Sequence, residues 1–209
     1  MAADPDLIAP TSESGRIILS SGRAPAYPPD AGRVLLPLAR ASISAELGLP
    51  AATAGDTPPW LTQQGACFVT LMLAGKLRGC IGTLRAHRSL VEDTRANAVG
   101  AAFRDPRFTA LTAAEFAATA VEISVLSALE PLAFSDESDA LRQLRTGLDG
   151  IVFEYGRHTS TFLPQVWADI REPADFLAHL KYKAGLPPDF WDKDVKLSRY
   201  TVLKWREEP

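Results

Sequence analysis

Apolar positions along the chain recur with two periods, near 3.6 and 2, and the alternation between them lays out the elements. Val34, Leu35, Leu38, Ile43 and Leu47 follow helical spacing from Ala31, and Gly48-Leu49-Pro50 ends that run. A loop through Asp56-Thr57-Pro58-Pro59 leads to Trp60. The mostly apolar run Ala66 to Leu73, the turn Ala74-Gly75-Lys76 and the heptapeptide Leu77-Arg78-Gly79-Cys80-Ile81-Gly82-Thr83 then read as a β-hairpin. Ser89-Leu90-Val91-Glu92 has capping-box spacing and opens a helix to about Phe103. Asp105-Pro106 forces a turn, and Thr112-Ala113-Ala114-Glu115 is a second capping box before a short helix. From Ala120 to Ser127 the period is 2, with Val121, Ile123 and Val125 on one face and Glu122 and Ser124 on the other.

The second half repeats this mixture. A helix is predicted from Glu137 to Arg145, stopped by Gly147. Ile151 to Tyr155, the turn Gly156 to Thr159, and Ser160 to Leu163 form a second hairpin. Pro164 opens a helix over Gln165 to Ile170, and Pro173 opens another that buries Phe176, Leu177 and Leu180 and ends at Gly185. An extended segment from Lys196 to Trp205 closes the chain. Helices intermixed with hairpins predict an α+β fold, a largely antiparallel sheet flanked by helices.

Composition changes the picture little. Apolar residues make up 46% and charged residues 22% of 209, ordinary for one globular domain. Residues 1–30, rich in proline, serine and glycine, are expected to be a disordered tail before a domain spanning 31–209. No apolar run reaches the roughly 18–20 residues of a membrane span, and Met1 to Pro10 lack the basic and apolar regions of a secretory signal. The expectation is a cytoplasmic chain that does not engage a membrane. Cys67 and Cys80 are expected to be reduced, although a disulfide between them stays open at this level. With neither Cys-x-x-Cys nor His-x-x-x-His, no metal and no cofactor is expected.

Charge is more informative locally than globally. A net of −3 argues against bulk nucleic-acid binding, yet residues 76–95 carry Lys76, Arg78, Arg85, Arg88 and Arg95 against Glu92 and Asp93, a local net of +3. Such a patch suits a small anionic ligand. On strict alternation Arg78, Cys80 and Gly82 share one strand face, where the guanidinium favours a thiolate at Cys80 and Gly79 and Gly82 leave room around it. The same thiol also reads as a small buried hydrophobe. Asp105 and Arg107 read either as a turn closed by its own side chains or as a cation aimed at an anion. Glu122 is a general base where its face is covered, but a solvated face is the more ordinary expectation for such a strand.

The heptapeptide does not stand alone. Asp105-Pro106-Arg107-Phe108, Val121 to Leu126, Gly150-Ile151, Phe162-Leu163-Pro164-Gln165-Val166, Lys183-Ala184-Gly185-Leu186 and Leu197-Ser198-Arg199-Tyr200 follow it in an order that resembles the AMMECR domain family, called AmmeMemoRadiSam system protein A in prokaryotes. The resemblance covers about residues 32–207. It implies a two-lobed α+β domain, with a cleft between the lobes and the main sheet in the larger one. It also implies Memo-like and radical S-adenosylmethionine proteins as partners, and it adds Gln165 and Lys183 to the ligand-binding residues. This chain lacks the Cys-x-x-x-Cys-x-x-Cys run of a radical enzyme. Two functions fit: a small-molecule enzyme or its substrate-handling subunit using Cys80, or a non-catalytic binding or regulatory module for protein or RNA.

Overall fold

The computed structural model describes residues 27–50 and 57–207. The loop residues before Thr57 and the predicted tail up to Ala26 lie outside the described residues. Two compact units result, one built from the described residues up to Leu126 together with the segment from Leu203 on, the other from Ser127 to Val202. Helices and antiparallel strand pairs make the fold α+β, with the antiparallel sheet divided into two sheets of four strands.

In the first unit, α1 (Gly32–Glu46) and α2 (Leu90–Phe103) pack on a sheet of β1 (Cys67–Leu73), β2 (Lys76–Gly82), β3 (Thr119–Leu126) and β8 (Val202–Arg206), in the order β2-β1-β3-β8. The short helix α3 (Ala113–Ala117) precedes β3. Period 2 in the strands meets period 3.6 in the helices at Leu35, Ala39, Ile43, Val69, Leu71, Ala98, Ala101, Val121 and Ile123, all buried in one core. Both predicted capping boxes form, Ser89 with Glu92 and Thr112 with Glu115. The β1–β2 hairpin turns on Ala74 and Gly75, at φ 50° and 76°, the left-handed pair that a two-residue turn requires.

The second unit carries the sheet β4-β7-β5-β6, from β4 (Glu130–Pro131), β5 (Gly150–Tyr155), β6 (His158–Phe162) and β7 (Lys196–Tyr200), with α4 (Glu137–Gln143) and α5 (Pro173–Lys183). Its core gathers Ile151, Phe153, Leu177, Leu180 and Leu197 around a Trp167–Phe176 stack with centroids 3.8 Å apart. The predicted closing segment is two strands in two sheets, β7 and β8, broken at Thr201. The helix expected after Pro164 shortens to a 3-10 turn, Pro164–Ala168. Asp149 ends the α4 side, where the indole N–H of Trp167 donates to its carbonyl at 2.7 Å.

Two glycines of the heptapeptide are fixed by close approach. A β-carbon at Gly79 would lie 2.1 Å from the Ala101 carbonyl oxygen of α2, and one at Gly82 would lie 2.2 Å from the Phe68 ring. Gly79 therefore lets helix backbone press on the strand, which no side chain could permit without separating the layers. Gly79→Val should cost about 3 kcal/mol or prevent folding, in the upper range of overpacked cores. Ala74→Asn should add about 0.5–1 kcal/mol by relieving the left-handed strain. Urea denaturation checks both, and a Gly79→Val protein as stable as the parent removes the close-packing account.

Tyr27 and Pro29 end the segment expected to be a tail, and both make contacts. The Tyr27 ring packs edge-on to Trp60 with centroids 6.0 Å apart, and the Trp205 indole N–H donates to Pro29 O at 2.9 Å. A chain starting at Ala31 should accordingly melt several degrees below one starting at Tyr27, by calorimetry. Equal melting temperatures would show these contacts to be energetically idle.

Candidate functional site

β2 is the outer strand of its sheet, so its outward backbone groups need partners from elsewhere. The turn after α2 supplies them. The Cys80 N–H donates to Asp105 Oδ2 at 2.8 Å, and Arg107 Nη2 donates to the Cys80 carbonyl at 3.3 Å. Asp105 also holds Arg107, accepting from Nε at 3.0 Å, from Nη2 at 2.8 Å and from its backbone N–H at 3.1 Å. Burial alone would raise the Asp105 pKa, but the guanidinium and the two N–H groups outweigh it and bring the carboxyl down to about 2. The turn thus uses Asp105 and Arg107 as a substitute strand at Cys80.

Strict alternation fails at Arg78. Leu71 pairs with Gly79 and Met72 with Leu77, so the register shifts and Arg78 is left without a partner on β1. This β-bulge overturns the expected common face of Arg78 and Cys80, since an extra residue resets the side-chain parity. Leu77, opposite Met72, joins the face of Cys80, while Gly79 and Ile81 look toward α2. Arg78 instead pairs with Glu115, Nε to Oε1 at 3.1 Å and Nη2 to Oε2 at 3.2 Å, and donates to the Thr109 carbonyl at 3.0 Å. Two guanidiniums flank one ring, with the Cζ of Arg78 and of Arg107 at 5.8 and 5.5 Å from the Phe108 centroid.

On the face away from α2, cross-strand pairing sets Cys80, Thr70 and Glu122 in one row. The Thr70 hydroxyl donates to Cys80 Sγ at 3.3 Å. Glu122 is 5% exposed, and Lys204 Nζ of β8 lies 2.7 Å from its Oε1. The solvated face expected for Glu122 and Ser124 is therefore corrected: both are buried, and the carboxylate is held by a lysine that the sequence reading did not single out. Burial pushes the Cys80 pKa up, with help from Asp105 and Glu122, while the Thr70 hydrogen bond and Arg107 pull partly the other way. The resting group is a thiol.

A family model described as AMMECR1 matches residues 36–205. The chain belongs to the AMMECR1 family. It is 36% identical over 187 residues to a protein of Methanothermobacter thermautotrophicus, across 86% of this chain and 95% of that one. Protein PH0010 of Pyrococcus horikoshii is 37% identical over 188 residues, across 85% of this chain and 90% of the relative. The crystal structure of PH0010, titled as an uncharacterized protein, matches with a TM-score of 0.76 at 34% identity, over 86% of this chain and 92% of that one. The kinship carries fold rather than chemistry.

Within this AMMECR1 domain, Arg78, Gly79, Cys80, Gly82, Asp105, Arg107 and Glu122 all lie in the first unit, and Gln165 and Lys183 in the second. Gln165 is exposed on the 3-10 turn. Lys183 donates to the Thr161 carbonyl at 3.1 Å and sits 4.9 Å over the Phe162 ring, where desolvation of the ammonium lowers its pKa. Sequence reasoning passed over a further cluster on the α2 side. Asp93, fully buried, accepts from Cys67 N, Thr83 Oγ1, Arg88 Nε and Asn97 Nδ2 at 2.7–2.9 Å. Cys67 lies against it, its thiol pushed up to about 12 by burial and by Asp93, and both cysteines are free. Among the described residues no group of three or more His, Cys, Asp or Glu is placed to hold a metal ion, and no helix is long and apolar enough to cross a membrane.

The clasp has a pH signature. Asp105 and Glu115 are each held at about 2, below their ordinary 3.8 and 4.5. Lowered folded-state values give stability that is present above the unfolded values and lost as pH falls toward 2. Stability should therefore decline between about pH 4.5 and 2, and Asp105→Asn should flatten part of that slope while lowering stability at pH 7. Chemical denaturation across the range reads it, and an unchanged slope in the variant would discount Asp105.

Proposed function

We propose that this AMMECR1 domain handles a small anionic molecule at the Cys80 edge of β2, as a Cys80-dependent enzyme or its substrate-handling subunit, beside Memo-like and radical S-adenosylmethionine proteins. One observation carries the reading: a thiol, a buried carboxylate and an accessible guanidinium converge around one strand position. The Arg107 side chain is 37% exposed, so it can present a cation to the ligand. Glu122 is the base or acid candidate across the row from Cys80. Asp105 is a positioning residue, and Arg78 holds the 109–115 loop through Glu115 and the Thr109 carbonyl. Gln165 and Lys183, in the second unit, are ligand-binding residues on the strength of the family motifs alone.

The second reading, a non-catalytic module for protein or RNA, gains from one fact. Arg78 is paired with Glu115, an acid outside residues 76–95, and Arg107 with Asp105, which takes one positive charge off the local excess that suggested an anion and ties down the cation beside Cys80. Iodoacetamide labelling followed by mass spectrometry distinguishes the two. Cys80 should label faster than Cys67, with a rate still climbing above the ordinary thiol value of 9.0 because its pKa is raised. Arg107→Ala should slow it, since the nearest cation is lost, and inorganic phosphate should protect it. Equal, slow labelling of both cysteines, with no protection, would sink the small-molecule reading.

A further inference from the structure

Arg78 is 8% exposed, and its five N–H bonds are unequally used. Nε and Nη2 are satisfied by Glu115 and by the carbonyls of Thr109 and Ala110. Nη1, with two N–H bonds, is buried and has no hydrogen-bond partner among the described residues. A buried charged donor left without an acceptor lowers the folding equilibrium by about tenfold or more, so a chain that keeps one invites an acceptor from outside. The bulge that turns Arg78 away from the strand row is the kind of irregularity that re-aims a side chain near a site.

Charge decides what that acceptor is. Glu115 already neutralises Arg78 at two points, so a second anion brought here is a buried charge without a counterion, beside a carboxylate. A neutral oxygen meets only the donors. Arg107 is different, because its side chain reaches solvent and an anion there keeps much of its hydration. The ring of Phe108, over both guanidiniums, is a weak substitute acceptor that a carbonyl oxygen outcompetes.

We propose that Arg78 Nη1 is a second recognition point of the site, taking a neutral carboxamide or peptide carbonyl oxygen of the ligand, and that the Phe108 ring gives way when it enters. This rests on the small-molecule reading and names the ligand's other functional group: an anion for Arg107 and an amide carbonyl for Arg78.

The test uses the full chain with 15N-labelled arginine, following the Arg78 guanidinium N–H resonances. N-acetylglycinamide, acetate and inorganic phosphate are titrated separately to equal concentration. The amide should shift Arg78 saturably and the two anions should not. Phe108→Ala should tighten the amide about fivefold, since no ring has to be displaced. Anions binding at Arg78 as tightly as the amide overturn the proposal. So does the lack of a saturable amide shift in both the parent and Phe108→Ala, or a long-lived water cross-relaxing with Nη1 that the amide does not displace. Phosphate protection of Cys80 from alkylation reports separately on the reading beneath it: protection without an Arg78 response sinks only this inference, and the reverse sinks only that reading.

Discussion

The Asp105 carboxylate, facing the outer edge of β2, is the interaction on which the rest of the site depends. A strand at the edge of a sheet leaves N–H and C=O groups unpaired, and at Cys80 a carboxylate and a guanidinium take the place of a neighbouring strand. The same carboxylate fixes Arg107, so the turn cannot leave the strand without giving up all of these bonds together. Two residues before Cys80, Arg78 grips the other end of this loop through Glu115 and the Thr109 carbonyl. The Leu111 N–H donates to Ala102 O at 2.8 Å, tying the loop to α2 as well. Gly79 then admits the backbone of α2 from the other side. One strand is held from its edge and from one face by a single stretch of chain, residues 100–115.

What was legible in the sequence is what local chemistry determines. The two capping boxes, the hairpin at Ala74-Gly75 and the alternation after Ala120 each rest on residues within a few positions of one another, and each is present. The glycines read as room around the thiol, but folding fills that room, with the Ala101 carbonyl at Gly79 and the Phe68 ring at Gly82. The place of the bulge was not legible, because Leu77-Arg78-Gly79 reads as an unbroken alternation and only pairing with Leu71 and Met72 exposes the extra residue. That one slip carried the prediction for Arg78 with it. Glu115 was predicted as a cap, and it caps; its second role as counterion to Arg78 arises 37 residues away. Lys204 and Glu122 meet across strands that only the fold brings together.

Charge was the weakest guide for a related reason. The cluster of cations between Lys76 and Arg95 looked like a patch for an outside anion. Folding pairs two of its cations: Arg88 with Asp93, an acid already counted in the segment, and Arg78 with Glu115, which lies outside it. A buried carboxylate such as Asp93 is tolerable only with several donors around it, and it has four. Counting charges along a segment therefore overstates the field the folded surface presents, whenever the counterions lie in other segments.

The balance of charge around Cys80 limits the chemistry open to it. A thiolate nucleophile is favoured by nearby cations, and here one guanidinium works against two carboxylates and burial. An anionic ligand at Arg107 offsets the one nearby positive charge that favours the thiolate and acts in the same sense as Asp105 and Glu122. Under the proposed reading the ligand thus meets a protonated sulfur, whose Thr70 hydrogen bond leaves the S–H free to point elsewhere. The group can donate a proton or a soft contact at the sheet edge. To attack as a nucleophile it needs a base to act as the ligand binds, and Glu122, already paired with Lys204, is the carboxylate in its row that can be asked to do so.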